Sequence, residues 1–129
     1  MKLEHIAIWT EHLEELRAFY ETYFDASSGK KYTSASHPFE SYFLSFQEGT
    51  RLELMRQPGL LPGNRDPKPP TRGLVHLSFS SASREGVDQL TSRLRLDGFT
   101  ILDGPRLTGD GYYESVVLDP DGNRLEITI

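Results

Sequence analysis

Hydrophobic positions along this chain switch between two periods, and the switch occurs twice. Residues 2–9 alternate and are rich in Ile and Trp, which predicts a strand. A helix is predicted over 11–25, with Thr10 as N-cap and Leu13, Leu16, Phe19, Tyr20, Tyr23 and Phe24 recurring at helical spacing. Strands are predicted at 42–47 and 51–56, joined by the tight Glu48-Gly49 turn, with a weaker strand at 30–34. The order then starts again. A strand is predicted over 73–80 and a helix over 84–97, with Val87, Leu90 and Leu94 inward and Gly98 closing its C-terminus. Three further strands follow at 99–102, 113–118 and 124–129, the last two joined by Asp119-Pro120-Asp121-Gly122.

The repetition extends to the residues themselves. Leu3-Glu4-His5-Ile6-Ala7-Ile8 is echoed by Leu74-Val75-His76-Leu77-Ser78-Phe79, and Gly49-Thr50-Arg51-Leu52-Glu53-Leu54 by Gly122-Asn123-Arg124-Leu125-Glu126-Ile127. His76 lies 71 residues after His5, and Glu126 lies 73 after Glu53. Such a near-constant offset marks an internal duplication. Five of the eight prolines fall between Pro58 and Pro70, a composition that admits neither helix nor central strand. The chain therefore divides into module 1–57, linker 58–72 and module 73–129, within one domain of the α+β class built from two βαβββ modules.

Strand alternation assigns each residue a face. Ile6 and Ile8 oppose His5, Ala7 and Trp9; Leu52 and Leu54 oppose Arg51, Glu53 and Met55. Val75, Leu77 and Phe79 oppose His76; Leu125 and Ile127 oppose Arg124, Glu126 and Thr128. The purely apolar sets are expected under the helices, which leaves His5, Glu53, His76 and Glu126 together on the mixed faces. A lone strand Glu is ordinarily solvated, and a lone strand His is ordinarily a hydrogen-bonded structural residue. The recurrence of both types at matching places changes that weighing. Two carboxylates buried together without a cation would be costly, and a bound metal removes the cost. Two imidazole nitrogens and two carboxylate oxygens suit one divalent ion, nickel or zinc first and cobalt or manganese next.

Composition narrows the function. The 129 residues suffice for one core, and no apolar run reaches the length of a membrane span. Cysteine is absent, so there is no disulfide, thiolate ligand or cysteine nucleophile. A net charge of −5 without a basic stripe disfavours nucleic acid. The N-terminal segment carries no signal-peptide core, which makes the cytoplasm the expected compartment. Open edge strands favour pairing with a second copy, so a homodimer acting on a small molecule is expected.

The paired modules, with His on the first strand and Glu on the last of each, and the Asp-Pro-Asp-Gly-Asn turn before Arg124-Leu125-Glu126, resemble the glyoxalase I / vicinal-oxygen-chelate superfamily over essentially the whole chain. The His-Glu-His-Glu set most resembles bacterial glyoxalase I. The resemblance implies a curved mixed sheet around a metal cleft. It also implies an octahedral ion whose waters the substrate oxygens replace, and a lactoylglutathione lyase-like carbon–sulfur lyase or isomerase activity. A carboxylate ligand would move a proton on the carbon beside the chelated carbonyl, with Glu126 as base and Glu53 as second choice. Two departures bear on the substrate. The family's glutathione-holding Arg and Asn positions, four residues after the first and second ligands, are Trp9 and Gln57 here. Trp9 cannot form a charged fork with a carboxylate, which argues against glutathione and for another thiol adduct or a flatter, more apolar substrate. Trp9, Met55 and Tyr113 are the candidate pocket residues. Alternatives within the superfamily are a fosfomycin-type thiol transferase, a three-ligand extradiol dioxygenase and a metal-free bleomycin-resistance-like drug-binding module.

The remaining motifs read more simply. The acidic spacing and glycine position of Asp119-Pro120-Asp121-Gly122-Asn123 do not match an EF-hand, and a hairpin turn is expected. His12 and His37 have no echo in the other module and stay outside the site. Residues 109–113 form either a lip with two aromatics over the cleft or an ordinary flexible loop.

Overall fold

A computed structural model describes residues 1–61, 63 and 72–129, so much of the 58–72 linker lies outside the described residues. The chain forms two compact units, Met1–Gly63 and Asn64–Ile129, and the division falls inside the proline-rich segment.

In the first unit the order is β1 (His5–Trp9), α1 (Leu13–Tyr23), β2 (Ser27–Ser28), β3 (Tyr32–Thr33), β4 (Glu40–Ser45) and β5 (Arg51–Arg56). The sheet runs β1-β5-β4-β2, with β3 also paired to β4. The first and last strands are parallel and the other pairs antiparallel. A parallel neighbour requires a crossover, and α1 supplies it by packing over one face. Leu13, Leu16, Phe19 and Tyr20 of α1 are buried, as are Leu44, Leu52 and Leu54 of the sheet. Each such leucine contributes about 2 kcal/mol by leaving water. Tyr42, on the same face, donates from its hydroxyl to Glu14 Oε1 of α1 at 3.1 Å.

The second unit repeats this plan with β6 (Leu77–Ser80), α2 (Arg84–Leu96), β7 (Ile101–Leu107), β8 (Tyr113–Leu118) and β9 (Arg124–Thr128). Its sheet runs β6-β9-β8-β7, again with the first and last strands parallel. Val87, Thr91 and Leu94 of α2 are buried, as are Ser115, Val117, Leu125 and Ile127. The hydroxyls of Thr91 and Ser115 lie 2.5 Å apart, which satisfies two polar groups inside this core.

Several boundaries differ from the sequence reading for local reasons. Helix α1 starts after His12, because Thr10 uses its Oγ1 to accept from His12 N at 2.9 Å instead of capping the helix directly. Ser83 caps α2, its side chain accepting from Gly86 N at 3.1 Å. Gly98 takes φ +90°, as expected of a residue closing a helix. The strand expected at 30–34 is only the two-residue β3, and a further short piece, β2, lies before it at Ser27–Ser28. The strand expected at 99–102 is the longer β7, whose register slips on either side of Asp103. The Asp119 turn is tied by its own carboxylate. Its Oδ1 accepts from Asp121 N and Asn123 N at 3.0 and 2.8 Å, and Oδ2 accepts from Asn123 Nδ2 at 2.8 Å.

Gly104, within the second register slip of β7, has φ +81°, and a Cβ there would lie 2.5 Å from the Glu114 carbonyl oxygen. Backbone on β8 would have to move to admit a side chain. Gly104→Ala is expected to lower stability by about 1–3 kcal/mol, read as a reduced midpoint in urea unfolding.

Candidate metal centre

Strand register brings each His to its Glu. Ala7 pairs with Glu53 across β1 and β5, and Ser78 pairs with Glu126 across β6 and β9. His5 and His76 each sit two residues before those partners, on the same side of the sheet. The register is thus identical in both modules, and each His reaches its Glu along the diagonal. His76 precedes the ladder by one residue, whereas His5 is the first residue of β1.

His5 Nε2 lies 3.8 Å from Glu53 Oε2, and His76 Nδ1 lies 3.2 Å from Glu126 Oε1. Two donors about 2.1 Å from one ion are themselves about 3.0–3.4 Å apart in octahedral or tetrahedral geometry. The second pair meets that spacing, and the first needs a closure of about 0.5 Å, within reach of side-chain rotation. The carboxylates are more enclosed than the imidazoles: side-chain exposure is 14% for Glu53 and 20% for Glu126, against 39% for His5 and 36% for His76. Nitrogen and oxygen donors of this kind fit a borderline divalent ion. Among the described residues, no three His, Cys, Asp or Glu side chains form a single cluster, so each unit brings together two donors.

The surroundings of the two pairs differ. In the first unit, His5 donates from Nδ1 to Glu4 Oε2 at 2.5 Å. Glu4 also accepts from Arg51 Nε at 2.8 Å, and the Arg51 guanidinium covers the Phe43 ring at 4.3 Å. Hydrogen bonds from His5 and then Arg51 hold the Glu4 carboxyl below the usual range. A carboxylate on the second ring nitrogen fixes the orientation of a ligating His, so Glu4 acts as a positioning residue for His5. The sequence reading missed this role. The available signal was an acidic residue directly before His5 with Arg51 in register across the ladder. The second module has Val75 at the matching place, so this support is not duplicated.

In the second unit, Glu114 of β8 shares the Glu126 face. It pairs with Thr128, and Val116 pairs with Glu126. Burial, and after it the charge of Glu126, push the Glu114 carboxyl up. Arg106 Nη2 stands 3.9 Å from Glu114 Oε1, and Thr128 Oγ1 is buried with no hydrogen-bond partner. Glu114 too was absent from the sequence reading, because its strand partner Thr128 and its neighbour Arg106 are visible only once register is known.

Of the pocket candidates, Trp9 and Met55 lie side by side on the Glu53 face. Tyr113 does not face Glu126 and is withdrawn. Its position alternates with Glu114, and its hydroxyl donates to Asp88 Oδ1 of α2 at 2.7 Å, with Arg84 over its ring at 5.1 Å. The helix, with its own acceptor and cation, captures that side chain. His12 is the residue preceding α1, and His37 Nδ1 lies 3.0 Å from Ser34 Oγ in the loop before β4. Among the described residues no helix is long and apolar enough to cross a membrane.

Comparison with known proteins accords with this architecture. Residues 2–127 match the Glyoxalase/Bleomycin resistance protein/Dioxygenase superfamily. An uncharacterized protein, YqjT of Bacillus subtilis (strain 168), is 38% identical over 58 residues, a segment covering 43% of this chain and 45% of that protein. The chain therefore aligns with less than half the length of this curated relative. The structure of a putative glyoxalase from Bacillus halodurans is 30% identical, with a TM-score of 0.65 over 98% of this chain and 93% of that one. A glyoxalase I mutant from Zea mays shares the fold at 19% identity, with a TM-score of 0.79 over 98% of this chain and 44% of the maize chain. With its two βαβββ modules, its parallel closing strands and a match over nearly its full length, the chain belongs to the glyoxalase/bleomycin resistance/dioxygenase superfamily.

Proposed function

We propose that the chain is a metal-dependent lyase or isomerase of the glyoxalase I type, in which His5, Glu53, His76 and Glu126 are ligands of one divalent ion, nickel or zinc before cobalt or manganese. One observation carries the reading: the same His–Glu diagonal occurs at the same register in both modules. A structural His–Glu contact explains either pair alone, but gives no reason for both modules to keep it while their neighbouring positions diverge.

When bound, the ion supplies Lewis acidity toward a carbonyl oxygen of the substrate. Glu126 is assigned as the general base that removes the proton beside that carbonyl and returns it to the adjacent carbon, with Glu53 as the second candidate. His5 and His76 hold the donor set, and Glu4 keeps the His5 ring turned toward Glu53. Trp9 stands where a glutathione-holding Arg would be, so a thiol adduct other than glutathione, or a flatter apolar substrate, is the proposed reactant. Superfamily membership supports this class of chemistry without selecting the substrate.

Chelator-treated protein titrated with nickel or zinc and followed by calorimetry is expected to take up one ion per set of four ligands. His76→Ala and Glu126→Gln are expected to weaken uptake by about 10- to 100-fold or more. Protein that binds neither ion would overturn the reading in favour of a metal-free drug-binding module.

Glu114 supplies a second test, on metal-free protein. Its raised pKa means that the folded state holds the proton more tightly than the unfolded chain does. The ionised carboxylate therefore costs stability, and this cost grows as pH rises from the ordinary Glu pKa through the folded value. Glu114→Gln is expected to leave stability unchanged near pH 3 and to raise it at pH 7, read from urea unfolding at the two pH values.

A further inference from the structure

The two modules share register but not the chemistry of the row beside the Glu ligand. In the first, Trp9, Met55, Ser41 and Tyr32 pair in sequence across β1, β5, β4 and β3. In the second, the matching row is Ser80, Thr128, Glu114 and Arg106 across β6, β9, β8 and β7. Equivalent backbone positions thus carry Trp, Met and Tyr around a buried Ser41 in one module and a wholly polar row in the other. The fold itself does not require apolar residues there, so their presence in the first module calls for another cause.

Burial does not provide it. Trp9 is 46% exposed and Tyr32 56% exposed, although both are large aromatic residues. Both stand against Phe39, which falls on the same face of the strand as Ser41. The ring centroids are 6.1 Å apart in each case, at 87° for Trp9 and 60° for Tyr32. The three rings brace one another while two of them keep open faces. No charged side chain belongs to the row. The charged groups on this face are Glu53, next to the row, and Arg51 and His5, which lie toward the other end and are engaged with Glu4. The row begins two residues along the strand from Glu53, a separation of about 7 Å. That is the span of one ring and its link to a reacting carbon.

We propose that this row, braced by Phe39, is the specificity surface of the site and holds an uncharged, flat aromatic group of the substrate. The inference rests on Glu53 belonging to the reaction site, and it names the class of substrate the site would take. Open aromatic faces bind flat rings by offset or edge contact. A charged peptide has no counter-ion in this row and would lose hydration there.

Trp9 is the single tryptophan of the chain, so its emission reports on this row directly. Full-length protein is titrated with 2-naphthamide and, separately, with glutathione, following Trp9 emission and ligand-observed saturation-transfer NMR. The expected result is saturable 2-naphthamide binding, with weaker binding of glutathione. Trp9→Ala is expected to lower naphthamide affinity by about tenfold, Tyr32→Ala by several-fold, and Trp9→Phe to retain most of it. Thermal melting of each variant separates loss of fold from loss of contact. Absent naphthamide binding, equal binding of glutathione, or full affinity in folded Trp9→Ala would overturn the inference. So would a change in oligomeric state on Trp9→Ala with ring binding unaltered, which would assign the surface to a second copy. Metal uptake is measured independently: ring binding without metal uptake sinks the metal reading alone, and metal uptake without ring binding sinks this inference alone.

Discussion

Parallel pairing of the first and last strands organises each module. It forces the chain to cross over the sheet, which places a helix on one face and frees the other. It also sets Ala7 against Glu53 and Ser78 against Glu126, from which the diagonal approach of His5 and His76 follows. A slip of one residue in either ladder would turn the imidazole or the carboxylate toward the helix. Buried Leu52 and Leu54 in one module, and Leu125 and Ile127 in the other, oppose such a slip, because it would expose them. The same apolar residues that hold each core therefore also fix the donor pairs.

Around that shared frame the modules have diverged. The first braces His5 with Glu4 and Arg51 and carries an aromatic row; the second carries Glu114, Arg106 and a buried, unpartnered Thr128 hydroxyl. Apart from Glu4, which precedes β1, these positions follow the same alternation and face the same side as the His–Glu pairs, so substitutions there leave the core contacts intact. Duplicated ladders thus offer two sets of variable positions next to one repeated pair.

Much of the fold was legible in the sequence because its main signals are periodic. The helical spacing of Leu13, Leu16, Phe19 and Tyr20 and the alternation around Glu53 and Glu126 each identify both an element and its buried face. The two His–Glu pairs were legible for a further reason, since duplication placed the same residue types at matching positions twice. What escaped was set by pairing across strands. Tyr113 looks like a pocket aromatic until β8 is placed under α2, where Asp88 accepts its hydroxyl. Glu4 and Glu114 gain their roles from Arg51, Thr128 and Arg106, all distant in sequence. The short pieces β2 and β3 ahead of β4, and the slips of β7 around Gly104, likewise depend on partners no local pattern specifies.

The closing strand of each module carries its carboxylate about fifty residues after the imidazole it meets. Neither donor pair exists until the whole module has closed on itself, and local fraying of the edge strand, β1 or β6, would separate the pair while the central strand stays packed under its helix. An ion held by such a pair would favour the closed loop over the frayed one by mass action. Slow amide exchange in β1 and β6 would then depend on metal concentration, while exchange within α1 and α2 would change far less.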